Sequence, residues 1–201
     1  MSSGRNASRR AILQAWLAAG VMGAAGTALA QGRALPGALE LTPSCGEEDA
    51  PTRRQTEGPF YTADPPEKAD FRSDAPGEPM VLLGFVLGAD CRPIPGARVD
   101  LWHADGEGRY DNRGFRLRGY QEADDGGRFG FRTIVPGLYR GRTRHFHVKV
   151  QRPGGPVLTT QLYFPGEAAN GRDFIFDPRL LMDVREAADG GRVGRFDFIL
   201  G

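Results

Sequence analysis

The segment Arg142-Thr143-Arg144-His145-Phe146-His147 brings two of the chain's three histidines within two residues of each other. The neighbouring Phe146, Val148 and Val150 suit a β-strand. On a strand, side chains at i and i+2 point to the same face, so both imidazoles can address one point in space. Imidazole is the commonest metal ligand among side chains, and a shared metal ion is the chemistry this spacing suggests. The same pair also fits two ordinary hydrogen-bonded histidines on a strand. The rest of the chain has to supply the remaining donors.

The elements that would position this pair read as strands. Glycine (29) and proline (15) are abundant and punctuate short apolar runs, which is the pattern of an all-β domain. Strands are expected at Met80–Leu87, Ala97–His103, Arg128–Ile134, His145–Gln151, Val157–Phe164 and Arg195–Leu200. Turn signals at Pro95-Gly96, Asp105-Gly106, Asp125-Gly126-Gly127 and Gly154-Gly155 separate them. Pro178–Ala188 leaves room for a short helix. Residues 31–79 are rich in proline and charge and read as an extended, irregular arm. The expected architecture is an antiparallel β-sandwich with long loops over residues 80–201.

Two tyrosines stand at loop mouths beside these strands. Tyr110 closes Val99-Asp100-Leu101-Trp102-His103-Ala104-Asp105-Gly106-Glu107-Gly108-Arg109-Tyr110. Tyr139 follows Thr133-Ile134-Val135-Pro136-Gly137-Leu138, six residues before His145. Either could be a half-buried aromatic residue and nothing more. Taken with His145 and His147, however, they resemble the intradiol ring-cleavage dioxygenases, the family of catechol and protocatechuate dioxygenases. The resemblance runs from about Thr56 to Phe164. It takes in Thr56-Glu57-Gly58-Pro59-Phe60-Tyr61, Pro95 to Ala104, Gly108-x-Tyr110 and Gly127 to Pro136. Tyr139, Arg142-x-x-His145-x-His147 and Leu158-Thr159-Thr160-Gln161 complete it.

That resemblance implies a prealbumin-like β-sandwich enzyme holding one non-haem Fe(III) per chain through Tyr110, Tyr139, His145 and His147. It implies cleavage of a catechol-type diol with O2 to a cis,cis-muconate, with Tyr139 leaving the iron to accept a substrate proton. Arg142 would steady charge developing on the substrate, a role suited to a fixed guanidinium, and Gln161 would pack by the bound ring. The ligand set makes chemical sense. A free phenol has a pKa of about 10, so ionising it at pH 7 costs roughly 4 kcal/mol, which a trivalent cation can offset. Fe(II) oxygenases, by contrast, typically use two histidines and one carboxylate. His103 reads as structural or pocket-lining and not as a ligand. Catechol, protocatechuate and hydroxyquinol all remain open as the diol.

Two other readings use parts of the same pattern. Residues 81–133 also resemble non-catalytic prealbumin-like binding modules, which would leave the two tyrosines and two histidines without a role. A zinc hydrolase on His145 and His147 would need a third His, Asp or Glu. His103 could supply it, with the tyrosines then unexplained.

Residues 1–30 read as a separate segment. Arg5, Arg9 and Arg10 precede the uncharged stretch Ala11–Ala30, and Ala28-Leu29-Ala30 fits a signal-peptidase site before Gln31. Ser8-Arg9-Arg10-Ala11-Ile12-Leu13 carries the twin-arginine export pattern. An uncleaved anchor is the alternative, since twenty uncharged residues can just span a bilayer. Export to the periplasm or beyond favours a Cys45–Cys91 disulfide. Beyond residue 30 the chain has 23 basic and 25 acidic residues, with no basic run, so no nucleic-acid partner is expected. No stable membrane association is expected once the signal is removed. The arm replaces the N-terminal helical segment by which catechol dioxygenases dimerise, so an oligomer would need another route.

Overall fold

Alternation along the strands decides which residues enter the core. The computed structural model describes residues 50–188 and 190–201. Nine strands run in chain order: β1 Pro79–Gly88, β2 Arg98–Trp102, β3 Arg118–Glu122, β4 Arg128–Ile134, β5 His145–Gln151, β6 Val157–Tyr163, β7 Asp183–Glu186, β8 Arg192–Arg195 and β9 Phe198–Leu200. One sheet has the order β4-β1-β8-β7, with β9 also paired to β1. The other has the order β3-β2-β5-β6. Val99 and Leu101 of β2, Phe146, Val148 and Val150 of β5, and Leu158 and Leu162 of β6 all enter one buried apolar cluster. Leu82 and Val86 of β1 and Phe129 and Phe131 of β4 meet them there. Burying each such side chain contributes roughly 1.5–3 kcal/mol. The all-β sandwich expected from the sequence is the fold observed.

Local chemistry explains where the elements differ from the expectation. At Pro178–Ala188 there is no α-helix but a single 3-10 turn, Pro178–Leu180, followed by β7. The Asp177 carboxylate accepts from Arg179 N at 3.0 Å and starts the turn. Leu180, Met182 and Val184 then recur every second residue, a strand period. The expected strand Arg195–Leu200 divides into β8 and β9, which both run parallel to β1. Between them, Phe196 N donates to Leu83 O at 3.0 Å and Asp197 Oδ1 accepts from Phe85 N at 3.0 Å. Only glycine fits at position 84, where a Cβ would lie 1.8 Å from Phe196 O.

Residues 51–71 form no strand, yet they cover three sheet edges. Gln55 N donates to Thr159 O of β6 at 2.8 Å. Tyr120 N of β3 donates to Pro66 O at 3.0 Å, and Lys68 N donates back to Tyr120 O at 2.9 Å. Arg132 N of β4 donates to Ala69 O at 2.8 Å, and Phe71 N donates to Arg132 O at 2.7 Å. Capping open edges in this way removes templates for edge-to-edge association.

Residues 1–30 lie outside the described residues, as does Cys45. Cys91 is disulfide-bonded. Among the described residues, no helix is long and apolar enough to cross a membrane.

His103 is buried between the sheets. Its Nδ1–H donates to Ala104 O at 2.8 Å, and Nε2 accepts from the Thr133 hydroxyl at 2.6 Å. Burial drives its pKa from 6.5 down to about 4. The unfolded chain therefore takes up a proton between those values that the folded chain refuses. His103's contribution is complete above pH 6.5 and declines as pH falls toward 4. His103→Gln is expected to flatten the pH dependence of urea-unfolding free energy in that window, by up to about 1.4 kcal/mol per pH unit. An unchanged slope would show that His103 is not held neutral.

Candidate metal centre

The β5 alternation that sends Phe146, Val148 and Val150 inward sends His145 and His147 to the outer face of the four-stranded sheet. Register fixes their neighbours: His147 lies opposite Trp102 of β2 and Gln161 of β6, and His145 lies opposite Tyr163. Trp102 stacks on the His147 ring with centroids 4.9 Å apart and planes 10° from parallel.

The imidazole nitrogens converge. His145 Nε2 and His147 Nε2 are 3.2 Å apart, and the Tyr110 hydroxyl is 3.2 Å from His145 Nε2. His145 Nδ1–H donates to Thr143 O at 2.6 Å, which leaves the Nε2 lone pair directed at the convergence point. A backbone carbonyl on the far nitrogen is a recurrent way to orient a metal-binding histidine. His147 Nδ1 is buried without a hydrogen-bond partner.

Two loops bring the tyrosines together. The β2–β3 loop is organised by Asp105, whose carboxylate accepts from Glu107 N at 2.9 Å and Arg109 N at 3.0 Å. The β4–β5 loop docks on it where Gly137 N donates to Asp105 O at 2.8 Å. Gly108 makes this approach possible. Its φ is +82°, and a Cβ there would lie 2.0 Å from Leu138 O. The result is a T-shaped contact between Tyr110 and Tyr139, centroids 5.5 Å apart.

The arm closes the site from outside. Phe60 stacks on Tyr110 at 4.4 Å and meets the Tyr139 ring edge-on at 5.1 Å. Gly58 lies over His147, where a Cβ would approach Cε1 to 3.3 Å. Thr56 O accepts from Gln161 Nε2 at 2.9 Å, and Phe60 O accepts from the buried Arg118 guanidinium. Arg142 also reaches this cluster. Its Nη2 donates to Gln161 Oε1 at 2.7 Å, and its Nε donates to Asp173 Oδ2 at 2.7 Å.

All six site residues expected from the sequence (Tyr110, Tyr139, Arg142, His145, His147 and Gln161) therefore meet in one place. His103 faces the core instead. Four further residues had gone without a role. Phe60 and Trp102 fall within Thr56–Tyr61 and Pro95–Ala104, but nothing in the sequence marks them as a roof and a stacking wall. Arg118 and Asp173 gave no sequence signal, because their partners lie far away in the chain.

Burial sets the electrostatics. Desolvation lowers the His145 pKa to about 4 and takes that of His147 well below 6.5. Both are neutral at pH 7, with lone pairs available. Burial raises the Tyr110 phenol above its usual value of 10, against the opposing pull of Arg142 and Arg118. Three lone-pair donors thus face one another, with too few protons to pair them and little access to water. A cation resolves that frustration, so the donor set fits a metal. Among the described residues, no group of three His, Cys, Asp or Glu side chains is arranged to hold one. Among the described residues no third donor of the kind a zinc hydrolase needs joins the two histidines, and the side-chain oxygen nearest His145 Nε2 is the Tyr110 phenol.

Residues 56–201 match the family model described as Dioxygenase. The chain belongs to the intradiol ring-cleavage dioxygenase family. The chain is 33% identical to the 6-chlorohydroxyquinol 1,2-dioxygenase of Cupriavidus pinatubonensis, over 71% of this chain and 62% of that protein. It is 31% identical to the catechol 1,2-dioxygenase of Acinetobacter baylyi, over 72% of this chain and 56% of that one. It thus spans about six-tenths of the length of these curated relatives. Among solved structures, the dioxygenase domain of a dioxygenase–carbohydrate-binding protein fusion from the cellulolytic bacterium Streptomyces sp. SirexAA-E shares 53% identity. The TM-score is 0.73, with 75% of this chain and 98% of that chain covered. The 3-chlorocatechol 1,2-dioxygenase of Rhodococcus opacus 1CP gives a TM-score of 0.69 at 28% identity, over 77% and 74%.

The Gly108 contact is directly testable. Gly108→Ala places a side chain at positive φ against a carbonyl, which is expected to cost at least about 1–3 kcal/mol. Urea unfolding should show that loss, and tyrosine near-ultraviolet dichroism should change as the two loops part. Wild-type stability in the variant would mean that the loops do not depend on this contact.

Proposed function

We propose that this dioxygenase opens the aromatic ring of a catechol-type diol with O2, giving a cis,cis-muconate-type product that carries both oxygen atoms. The observation that carries the reading is the convergence of Tyr110 Oη, His145 Nε2 and His147 Nε2, with the Tyr139 ring alongside. Tyr110, Tyr139, His145 and His147 would hold one Fe(III), whose role is to draw electron density from the bound diol and make it reactive toward O2. The donor types favour that ion, because two phenolates offset a 3+ charge and neutral imidazoles complete the set.

The protein's own residues supply orientation and proton handling. Tyr139 is partly exposed and sits at the mouth beside Tyr110. Its phenolate oxygen is the base that takes a diol proton, within hydrogen-bond reach of the substrate. Arg142, fixed by Gln161 and Asp173, presents its charge to the diol oxygens. Phe60 and Trp102 exclude water from the site, which strengthens every charge interaction inside it. The substrate is a small diol, as the names of the curated relatives suggest. We further propose that residues 1–30 are a twin-arginine signal, so that the exported form begins at Gln31. Intact mass of protein recovered from outside the cytoplasm tests this: retention of residues 1–30 would point to an anchor.

Purified protein loaded with iron is expected to carry about one Fe(III) per chain and a visible phenolate charge-transfer band that shifts when catechol is added under nitrogen. Tyr139→Phe should keep most of the iron and lose most turnover. His145→Ala should lose iron to a chelator far faster than wild type. A chain that takes up Fe(III) without the band would overturn the phenolate assignment, and an undiminished Tyr139→Phe enzyme would remove Tyr139 as base. In the first case, the non-catalytic β-sandwich module becomes the better reading.

A further inference from the structure

Asp173 is the most completely enclosed carboxylate near the site. It follows the 3-10 turn Asn170–Arg172, and its side chain has no exposed surface. Oδ2 accepts from Arg142 Nε at 2.7 Å and from Thr143 N at 2.9 Å, while Oδ1 accepts from Ile175 N at 3.1 Å. The turn that carries it is itself tied down. Asn170 Oδ1 accepts from the Thr143 hydroxyl at 2.5 Å, and Asn170 Nδ2 donates to Phe164 O at 2.9 Å at the end of β6.

These bonds lead to two different parts of the site. Through Nε, Asp173 sets the plane of the Arg142 guanidinium, whose Nη2 then reaches Gln161. The guanidinium also acts on the Tyr163 phenol, whose hydroxyl donates to the same Gln161 Oε1 at 3.2 Å. Through Thr143 N–H, Asp173 fixes the residue whose carbonyl receives His145 Nδ1–H. A single carboxylate thus holds both the cation that faces substrate and the backbone that selects the His145 tautomer.

We propose that Asp173 is a positioning residue of this site, acting through Arg142 on the substrate and through Thr143 on His145. The proposal rests on the dioxygenase reading for what Arg142 and His145 do, but the hydrogen-bond relay stands without it. Arginine with a carboxylate on Nε is a geometry that fixes direction as well as charge. Partners of this outer kind typically change metal affinity or activity 10–100-fold when lost.

Asp173→Asn keeps the shape but turns an amide N–H toward at least one of the three donors. The iron-loaded variant is expected to show kcat/KM lowered about 10–100-fold, and its iron should pass to a chelator faster than that of wild type. In an Arg142→Ala background, the kcat/KM effect of Asp173→Asn should largely vanish, because the relay to substrate is already cut. Equal losses in both backgrounds would mean a merely structural role and would overturn the proposal, as would unchanged kinetics.

A second measurement needs neither iron nor turnover. Proton–nitrogen NMR of the metal-free wild type should show a slowly exchanging Arg142 Nε–H and a His145 Nδ1–H. Rapid exchange of Arg142 Nε–H in the folded wild type overturns the relay even if Asp173→Asn fails to fold. If wild type neither binds iron nor cleaves catechol while both signals are present, the functional reading fails and the relay survives. If wild type is active but Asp173→Asn changes nothing, only the relay fails.

Discussion

The two-residue period of β5 is the constraint on which the rest of the site depends. A strand in a sandwich must give one face to the core, and Phe146, Val148 and Val150 take it. His145 and His147 are thereby committed to the outer face, where a sheet normally meets water. A pair of imidazoles on a wet sheet would be solvated and half-protonated in mildly acid solution. The pair stays neutral and dry because other segments cover that face. The register of β2 and β6 brings Trp102, Gln161 and Tyr163 around the pair, and the arm supplies the roof.

That dependence explains why residues 51–61 are bound so firmly without forming a strand. Tyr61 donates to the buried Asp100 at 3.2 Å, and Lys149 sits over the Tyr61 ring while pairing with Glu57. These anchors lie along the same outer face, further down β2 and β5, and they hold Gly58 and Phe60 over the histidine end. The cover excludes water, and the same exclusion makes charged forms costly: imidazolium is suppressed and the Tyr110 phenol is harder to ionise. Drying the site therefore keeps the imidazole lone pairs free of protons while adding to the cost of a phenolate.

Much of this was legible in the sequence where one physical signal dominated. β4 and β5 fall on the expected residues because alternation and burial agree along their whole length. The His-x-His pair and the two loop tyrosines were visible as donors. β3, β7 and β8 were not, because Arg118–Glu122, Asp183–Glu186 and Arg192–Arg195 are short and polar, and pairing with neighbours, not an apolar face, makes them strands. The parallel pairing of β8 and β9 with β1 depends on contacts across more than a hundred residues. Asp173 escaped for a related reason. A lone aspartate in Arg172-Asp173-Phe174 looks like any turn residue until the fold brings Arg142 and Thr143 to it.

The buried Arg118 and the half-buried Arg142 show how the charges of the site fit together. Arg142 has a carboxylate partner, so its field is largely compensated at the Asp173 side. Arg118 makes no direct ion pair among the described residues, although the Asp111 carboxylate acts on it through space. It donates to the carbonyls of Asp111 and Phe60, and its Nη2 is buried without a partner. A guanidinium cannot shed its proton at neutral pH, so its burial is offset in part by these carbonyl dipoles and by the field of the Asp111 carboxylate. Ionising Tyr110 gives Arg118 a negative neighbour, and Arg118 in turn lowers the Tyr110 pKa against the effect of burial. Arg142 and Arg118 thus offset part of the extra cost that burial adds to ionising Tyr110, and the phenol still stays above its usual value.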